Sequence, residues 1–379
     1  MNVLQVIPEL DAGGAERTVI EIAEAVATSG GRALVASRGG RLEAELAAVG
    51  GELIRLDMKT KNPVKVWSNA DRLAEIIAAN GIDIVHARSR APAWSALWAA
   101  RRTETCVVTT YHGIYTAKSG LKRWYNSVMA RGDAVIANSE YTAERVRTEH
   151  GDLLARRDPA LSQLHVIPRG VDTIRFDPAA VSAERVAEAK AGWDVPEGAA
   201  VLLLPARLTR WKGQALAIEA VAKLNTERPI VLVCAGDPQG REAYARELRE
   251  LAKAKGVALR LPGHAADMPA AFLAADAVLN PSLEPEAFGR TAAEAQAMGA
   301  PVVAADHGGA REAVAPGETG WLAAPGDADA LAAALSEALS LDAEARAALA
   351  ARARARIVAR FSKTALQDAT LRVYRELLQ

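Results

Sequence analysis

Short apolar runs alternate with amphipathic, alanine-rich stretches along the whole chain. An apolar run of strand length followed by a helical pattern is typical of βα units, which build parallel sheets. In the first half the predicted strands are 3–7, 33–37, 53–56, 82–86, 106–110, 134–137 and 164–167, with helices such as 15–28, 64–80 and 139–150. In the second half the predicted strands are 200–204, 230–235, 258–261, 277–280, 302–304 and 320–322, and helices at 328–339, 342–360 and 363–378 close the chain.

The alternation is interrupted once, by an aperiodic stretch at 168–178 with proline at both ends. Because 379 residues are many for a single core, we interpret this stretch as an interdomain connection. The sequence thus predicts an α/β protein with two Rossmann-like, doubly wound domains facing across a cleft, at 1–172 and 173–360, followed by a separate helix at 361–379. Ligands of such sheets bind beyond the carboxyl ends of the strands, so the loops there are the candidate sites.

Composition narrows the class of protein. Lysine plus arginine equals aspartate plus glutamate at 46 each, so bulk charge does not favour nucleic acid as a partner. The two cysteines, Cys106 and Cys234, lie in apolar runs, which predicts buried thiols in a reducing compartment. The first eight residues lack the pattern of a signal peptide, and no run approaches the roughly 18 apolar residues of a spanning helix. We expect a cytoplasmic protein that could also bind, as a peripheral protein, to the inner face of the cytoplasmic membrane.

The stretch 284–304 carries the strongest candidate chemistry. Glu286 and Glu294 stand eight positions apart, and a Phe-Gly-Arg-Thr turn between them opens an alanine-rich helix. A helix N-terminus suits a phosphate, because its N–H groups are unpaired and carry partial positive charge. Two ordinary solvated glutamates could have the same spacing. The assignment of a binding site to this segment therefore depends on further residues elsewhere in the chain. The candidate binding residues here are Glu286, Phe288, Gly289, Arg290, Thr291 and Glu294.

Two cations follow the first strand of the second domain and are the predicted partners. Arg207 can grip a phosphate through two N–H groups, and Lys212 supplies a point charge. His264, in a loop after another strand, is a further candidate for nucleotide contact. By contrast, Asp267 and the Asp327-Ala-Asp329 pattern are better explained as helix caps than as ligand or metal sites, so no metal is predicted.

In the first domain two loops after strands are candidates. Gly13 and Gly14 permit a tight turn and a close backbone approach, but they do not form the G-x-G-x-x-G fingerprint of dinucleotide-binding proteins. His112 ends a strand and precedes a glycine, which favours a functional role, whereas nothing around His86 does.

Eight basic residues and one acid, Glu104, lie between 88 and 131, interleaved with aromatic residues. This mixture suits the surface of an anionic membrane, although the aromatic residues could equally belong to the core. The basic residues are Arg88, Arg90, Arg101, Arg102, Lys118, Lys122, Arg123 and Arg131, and the apolar ones among them are Trp94, Trp98, Leu121, Trp124 and Tyr125.

Together these segments resemble the retaining nucleotide-sugar glycosyltransferases of GT-B fold, family 4, also called group 1, and are similar to bacterial lipopolysaccharide-core and envelope glycan mannosyl- and hexosyltransferases. The resemblance covers nearly the whole chain. The motifs that carry it are Gly-Gly-Ala-Glu-Arg at 13–17, His112-Gly113, Arg-Gly-Val-Asp at 169–172, Arg207 with Lys212, and the Glu286/Glu294 pair.

The resemblance implies that the second domain binds the nucleotide sugar and the first presents a glycan or glycolipid acceptor. Arg207 and Lys212 would hold the diphosphate, Glu294 the ribose, and Glu286 the donor sugar. His112 would face the transferred sugar, and Gly13 and Gly14 would lie against the phosphates or acceptor. The last helix would return to the first domain.

These roles imply hexosyl transfer without a metal or other cofactor, since the cations and the helix terminus would stabilise the leaving diphosphate. No carboxylate is evidently placed as a nucleophile, so front-face attack is expected. UDP, GDP and ADP sugars all fit the diphosphate clamp, which is formed by Arg207 and Lys212. The expected acceptor is lipopolysaccharide core. The alternatives are an epimerase or phosphorylase on the same fold, a nicotinamide-dependent oxidoreductase, and a nucleotide-binding protein without catalysis.

Overall fold

A computed structural model describes residues 1–11, 13–60, 62–115, 117, 119–155 and 164–379. The chain divides into two compact units, residues 1–170 with 363–379, and residues 171–362. The chain passes from the first unit to the second after Gly170 and returns after Ser362, each within two residues of the boundary expected from the sequence.

Within the described residues, the first unit contains a seven-stranded parallel sheet in the order β3-β2-β1-β4-β5-β6-β7. Its strands are β1 (Asn2–Val6), β2 (Arg32–Ser37), β3 (Gly51–Arg55), β4 (Ile84–Ala87), β5 (Cys106–Tyr111), β6 (Ala134–Ala137) and β7 (Leu164–Val166). Its helices are α1 (Gly14–Thr28), α2 (Glu43–Ala48), α3 (Pro63–Asn80), α4 (Arg90–Thr103), α5 (Gly120–Asn126) and α6 (Glu140–Ala155).

Alternate side chains of the central strands enter two separate apolar clusters. Val3 of β1 packs with residues of α1, whereas Leu4 packs with residues of α3 and α4. A sheet covered on both faces needs apolar residues at nearly every position, which explains the continuous apolar runs of the sequence. Helix α6 extends past the predicted end at 150, but His150 has non-helical backbone angles, so the sequence signal coincides with a kink.

The described part of the second unit contains a six-stranded parallel sheet in the order β10-β9-β8-β11-β12-β13. Its first helix is α7 (Ala183–Gly192), and its strands are β8 (Ala200–Leu204), β9 (Ile230–Ala235), β10 (Ala258–Gly263), β11 (Ala277–Asn280), β12 (Val302–Ala305) and β13 (Trp321–Ala323). The remaining helices are α8 (Gln214–Val221), α9 (Glu242–Lys255), α10 (Met268–Ala274), α11 (Arg290–Ala297), α12 (Ala310–Ala313), α13 (Ala328–Leu339) and α14 (Ala343–Arg360). The last helix of the chain, α15 (Lys363–Leu377), belongs to the first unit.

Strand order reverses once in each sheet, between β1 and β4 in the first unit and between β8 and β11 in the second. Loops leaving adjacent strands diverge at such a point and open a crevice at the carboxyl edge of the sheet. The predicted fold class, two Rossmann-like doubly wound α/β domains, is confirmed. The crevice of the second sheet lies between the loop that carries Arg207 and Lys212 and the loop that carries Glu286.

Candidate functional site

Lys212 and Glu286 form an ion pair at the crevice of the second sheet. Nζ of Lys212 lies 2.7 Å from Oε1 of Glu286, and the two side chains are only 16% and 14% exposed. The hydroxyl of Ser282 donates to the same carboxylate oxygen. Nζ also lies 4.2 Å from the centre of the Trp211 ring. The sequence predicted both residues as ligand contacts but did not reveal that each holds the other in place.

The loop carrying Lys212 is held close to the neighbouring strand's loop by a glycine. Gly213 has φ of 77° and starts the approach to α8, and a Cβ built on it would lie 2.1 Å from the carbonyl oxygen of Pro281. Only glycine tolerates both conditions. Arg207 precedes this turn and has an exposed side chain, while its carbonyl accepts a 2.9 Å hydrogen bond from Gln214. The backbone of the loop is therefore fixed and the Arg207 guanidinium extends into solvent.

Helix α11 begins at Arg290, directly after the turn that the sequence predicted. Gly289 precedes it in the left-handed region with φ of 84°, and no side chain caps the helix. The first-turn N–H groups therefore remain without a side-chain cap, as an anion site requires. Nε of Arg290 donates to Oε1 of Glu294 at 2.8 Å, so the two side chains meet across one helical turn. Thr291 is partly buried in the same first turn.

The turn before α11 packs on Gly308 and Gly309, which follow β12. A Cβ on Gly308 would lie 2.5 Å from the carbonyl oxygen of Glu286, and the N–H of Gly309 donates to that oxygen at 2.8 Å. These two glycines thus let the chain after β12 approach the Glu286 loop closely. Phe288 is 2% exposed and packs in the core, which leaves its backbone rather than its ring for any ligand contact.

His264 lies apart from this group. It is exposed and follows β10, the edge strand, which is separated from β8 by β9. The two aspartates interpreted as caps do cap helices: Asp267 accepts from the N–H of Ala270, and Asp327 from those of Asp329 and Ala330. Asp267 also forms an ion pair with Arg185 at 2.8 Å. The described residues contain no group of histidine, cysteine, aspartate and glutamate side chains that could hold a metal ion.

In the first unit, Arg169 connects the two candidate loops. Its guanidinium donates to the carbonyl of His112 at 3.0 Å and lies 3.4 Å from Nδ1 of the same residue. A Cβ built on Gly14 would lie only 1.6 Å from Nη1 of Arg169. The observed close approach at Gly14 is therefore to Arg169, while the roles of Gly13 and Gly14 toward a ligand stay predictions.

His112 is held neutral by its surroundings. Burial lowers the pKa of the imidazole well below its usual range, and the positive charges of Arg169 and Arg88 lower it further. Nε2 is buried without a hydrogen-bond partner among the described residues. A neutral imidazole with one nitrogen unused can accept or donate a hydrogen bond but adds no charge to the site.

A buried polar network, which no pattern in the sequence predicted, lies at the crevice of the first sheet. Arg88 is 3% exposed, donates to Oε1 of Gln5 at 3.0 and 2.5 Å, and has a pKa that burial lowers to about 10. His86 bonds Thr110 at 2.7 Å and, through Nδ1, the hydroxyl of Tyr374 on α15. The only sequence signal was the placement of two polar residues at the end of an otherwise apolar strand.

The basic and aromatic stretch at 88–131 divides into buried and exposed parts. Arg88 is not a surface residue, and Trp94 is 6% exposed and packs in the core. Arg90 stacks at 4.1 Å on the ring of Tyr115. Lys118 lies outside the described residues. Arg88 and Trp94 therefore belong to the interior. Contact of the exposed part of the stretch with a membrane stays a prediction.

Four tryptophans, of which only the two at the ends are exposed, form a chain of rings that reaches beyond this stretch. Trp124 stacks on Trp94 at 4.5 Å, Trp94 contacts Trp98 at 5.5 Å, and Trp98 contacts Trp67 at 5.3 Å. Trp67 and Trp124, at its two ends, are 54% and 52% exposed. Among the described residues, no helix is both long and apolar enough to span a bilayer.

Comparisons with known proteins agree with this architecture. A family model described as Glycosyltransferase Family 4 matches residues 12–175, and one described as Glycosyl transferases group 1 matches residues 186–356. A D-inositol 3-phosphate glycosyltransferase from Salinispora tropica is 32% identical over 266 residues, covering 64% of this chain and 54% of that protein. The chain thus spans about half the length of the curated relatives it matches.

Solved structures extend the likeness to the whole chain. The crystal structure of a glycosyltransferase from Rickettsia africae ESF-5 has a TM-score of 0.90 and 32% identity, covering 100% of this chain and 98% of that one. HepE from Anabaena, solved in complex with UDP-glucose, has a TM-score of 0.81 and 25% identity, with 98% and 99% covered. The fold is therefore that of the GT-B class. The chain belongs to the glycosyltransferases, with a family 4 region followed by a group 1 region.

Proposed function

We propose that the protein is a retaining hexosyltransferase that moves a sugar from a nucleotide diphosphate to a hydroxyl of an envelope glycan or glycolipid. The observation that carries this proposal is the Lys212–Glu286 pair beside the uncapped start of α11, at the crevice of the second sheet. One N–H of the Lys212 ammonium is used by Glu286, which leaves two for a phosphate. A cation, a set of helix N–H groups and a fixed carboxylate are then available to one ligand.

The proposed mechanism follows from where charge develops. As the bond from sugar to phosphate breaks, the diphosphate gains negative charge, which Lys212, Arg207 and the first N–H groups of α11 would stabilise. Preorganised donors of this kind usually supply the largest part of a rate enhancement. With that charge met by the chain's own groups, transfer would need no metal. Full activity after treatment with EDTA is the expected result, and loss that added Mg²⁺ restores would contradict it.

Retention of anomeric configuration would come from attack on the same face that the phosphate leaves. Oε1 of Glu286 already accepts from Lys212 and Ser282, so this carboxylate is better suited to orienting sugar hydroxyls than to attacking carbon. His112, whose imidazole is neutral, would face the transferred sugar. NMR of the product tests this, because a retained anomer supports the proposal and an inverted one rejects it.

UDP-glucose is the first donor to test, because HepE from Anabaena, at 25% identity, was solved with it. A thermal-shift screen against UDP, GDP and ADP sugars identifies the donor, since a ligand that binds only the folded state raises its stability by mass action. A selective rise with one nucleotide sugar is expected, and no rise with any would count against the donor site.

For the acceptor, we propose a hydroxyl of an envelope glycan such as lipopolysaccharide core. D-inositol 3-phosphate is the second candidate, because relatives at 32% identity carry that name. Incubation of the donor with each acceptor, and with none, decides between them. Product is expected only when an acceptor is added to the donor. Conversion of the donor without any acceptor would indicate the epimerase alternative. Conversion that requires only inorganic phosphate would indicate a phosphorylase.

We also propose that the first unit contacts an anionic membrane surface through a ring-chain patch, defined as Val64, Trp67, Leu121 and Trp124 with the adjacent Lys65 and Lys122. The four apolar residues are 52–77% exposed, and both lysines are exposed. Arg102 lies 4.9 Å from the Trp67 ring and pairs with Asp71. Exposed tryptophan beside lysine suits the boundary between headgroups and acyl chains. The protein would then work as a peripheral protein on the cytoplasmic face.

Co-sedimentation with phosphatidylglycerol vesicles at low salt tests this patch. Replacing Leu121 and Trp124 by serine should abolish most of the binding. The matched control replaces Ile174 and Val358, which are also exposed apolar residues but lie in the second unit. Equal binding by both double variants, or no binding by the wild type, would reject the membrane surface.

A further inference from the structure

A polar cavity of about 240 Å³ lies in the second unit, away from the loops that carry Lys212 and Glu286. Its charged lining residues are Lys190 at the end of α7, Arg228 before β9, Asp276 before β11 and Arg346 on α14. Arg228 and Asp276 precede their strands, so the cavity lies at the amino edge of the sheet. Arg207 and Glu286 follow strands of the same sheet, on the order of 15 Å away along a five-residue strand.

The charges that line this cavity do not balance. Three cations face one carboxylate, and both oxygens of that carboxylate are already used. Oδ1 of Asp276 lies 3.2 Å from Nη1 of Arg228, and Oδ2 accepts from the N–H of Val201 at 2.8 Å. Two positive charges therefore line the cavity without a carboxylate of their own.

Hydrogen bonds to backbone carbonyls fix the positions of the two arginines. Arg228 donates to the carbonyls of Gly198 at 3.1 Å and Ala199 at 3.4 Å. Arg346 donates to the carbonyls of Ala275 at 3.0 Å and Asp276 at 2.9 Å. Carbonyl oxygens satisfy N–H groups but leave the guanidinium charges uncompensated, and each guanidinium has five N–H groups. The arginines are thus held rigidly with donors to spare.

Lys190 has no comparable structural duty. It is partly buried, and its ammonium has no hydrogen-bond acceptor within the described residues. The electrostatic surroundings of Arg346 also indicate a shortage of negative charge in the cavity. Burial lowers the pKa of Arg346, the charge of Asp276 raises it, and the nearby charge of Arg228 lowers it again. A second anion in the cavity would relieve the repulsion between these cations.

We propose that this cavity is an accessory binding site for a phosphate dianion or a small phosphomonoester, held by Lys190, Arg228 and Arg346. Arginine offers paired N–H groups to phosphate oxygens and lysine a point charge, and a dianion matches the two uncompensated charges. The cavity, at about 240 Å³, has room for a phosphate with a small organic substituent. The site is independent of the transfer reaction proposed above.

Isothermal titration calorimetry with inorganic phosphate tests the site in four forms of the full chain: wild type, Lys190→Gln, Lys253→Gln and Lys212→Gln. Lys190→Gln should weaken binding about tenfold, as expected for one charge-assisted contact. Lys253 is an exposed lysine of the same unit on α9, and Lys253→Gln should leave the affinity within about twofold. Lys212→Gln removes a cation from the proposed donor site and should also leave this binding in place.

Three outcomes would overturn the proposal: no phosphate binding by the wild type, equal affinity of wild type and Lys190→Gln, or loss of binding in Lys212→Gln alone. The last would mean that phosphate occupies the donor site. Thermal unfolding of Lys190→Gln shows whether the variant is folded. Lys190 is chosen for replacement because both arginines bind backbone carbonyls, so that their removal would also disturb the fold. A parallel titration with methyl phosphate identifies the ligand class, since tighter binding assigns the site to phosphomonoesters and equal binding to the free anion.

Discussion

Lys212 illustrates how a single cation can be both fixed and available. Glu286 and Trp211 hold its ammonium, and the low exposure of the ion pair limits screening by solvent. A partly buried ion pair contributes little net stability, because desolvation offsets much of the attraction. Stabilisation of the fold alone therefore does not explain the pair, and positioning of Lys212 for a ligand is the proposal made for it.

Replacing Lys212 or Arg207 by alanine should lower turnover by roughly 10²-fold or more, since each removes a charge contact of about 3 kcal/mol to the leaving phosphate. The measurement is the turnover number with saturating donor. Lys223→Ala, which removes an exposed lysine elsewhere in the second unit, should keep wild-type turnover. Near-normal turnover in either Lys212→Ala or Arg207→Ala would remove that residue from the clamp.

Gly14 is a second residue whose role the structure redefines. In Gly14→Ala the new methyl group would displace the Arg169 guanidinium, because that flexible end can move while the backbone cannot. Loss of this positive charge from His112 should raise the pKa of His112, which NMR titration of the imidazole can measure.

Gly120→Ala is the matched control for that titration. Gly120 is also the first residue of a helix, and a Cβ there would meet nothing within 4 Å. The same His112 pKa in both variants would show that Gly14 does not position Arg169.

At the scale of elements, α15 is tied to the first sheet by one buried hydroxyl. Tyr374 is fully buried, bonds Nδ1 of His86, and has a pKa that burial raises to about 12. The aromatic ring packs in the cluster that also contains residues of α1 and β1. Both packing and a polar contact therefore attach the end of the chain to the first unit.

Tyr374→Phe should lower the free energy of unfolding by about 1–3 kcal/mol, because it leaves a buried histidine nitrogen without its partner while keeping the ring. Urea denaturation gives this value. Arg372→Ala, at an exposed position on the same helix, should change it by less than about 0.5 kcal/mol. Equal stability of wild type and Tyr374→Phe would mean that the hydroxyl contact contributes nothing to the attachment of α15.

At the scale of the whole molecule, buried histidines make stability depend on pH. Burial lowers the pKa values of both His86 and His112 well below 6.5, so the native state keeps them neutral where the unfolded chain takes up protons. Their contribution to stability is complete above pH 6.5 and is lost as the pH falls below it. The slope is about 1.4 kcal/mol per pH unit for each histidine.

The free energy of unfolding should therefore be lower at pH 5.5 than at pH 7.5. Urea denaturation of His86→Asn should show a smaller difference between these two pH values. His264→Asn, at an exposed position, should retain the wild-type difference. A difference of wild-type size in His86→Asn would remove His86 as a source of the pH dependence.

Local patterns in the sequence were enough to predict the order of strands and helices along the chain and the residue types in the loops that follow strands. Apolar periodicity, glycine turns and helix caps depend on residues that are near neighbours in the sequence. The strand at 277–280, the turn at Gly289 and the caps at Asp267 and Asp327 could therefore be predicted. The contact between Arg290 and Glu294 could be predicted for the same reason, since it spans one helical turn.

Tertiary structure alone decided which distant residues meet and which charges are buried. Lys212 and Glu286 are 74 positions apart, and Arg169 lies 57 positions from His112. The burial of Arg88 differs from the surface position that the basic composition of 88–131 suggested. Sheet order brings these residues together, and the cost of burying a charge depends on the partners supplied by the assembled fold. Neither the order of strands in the sheet nor the cost of burying a particular charge can be read from a local pattern.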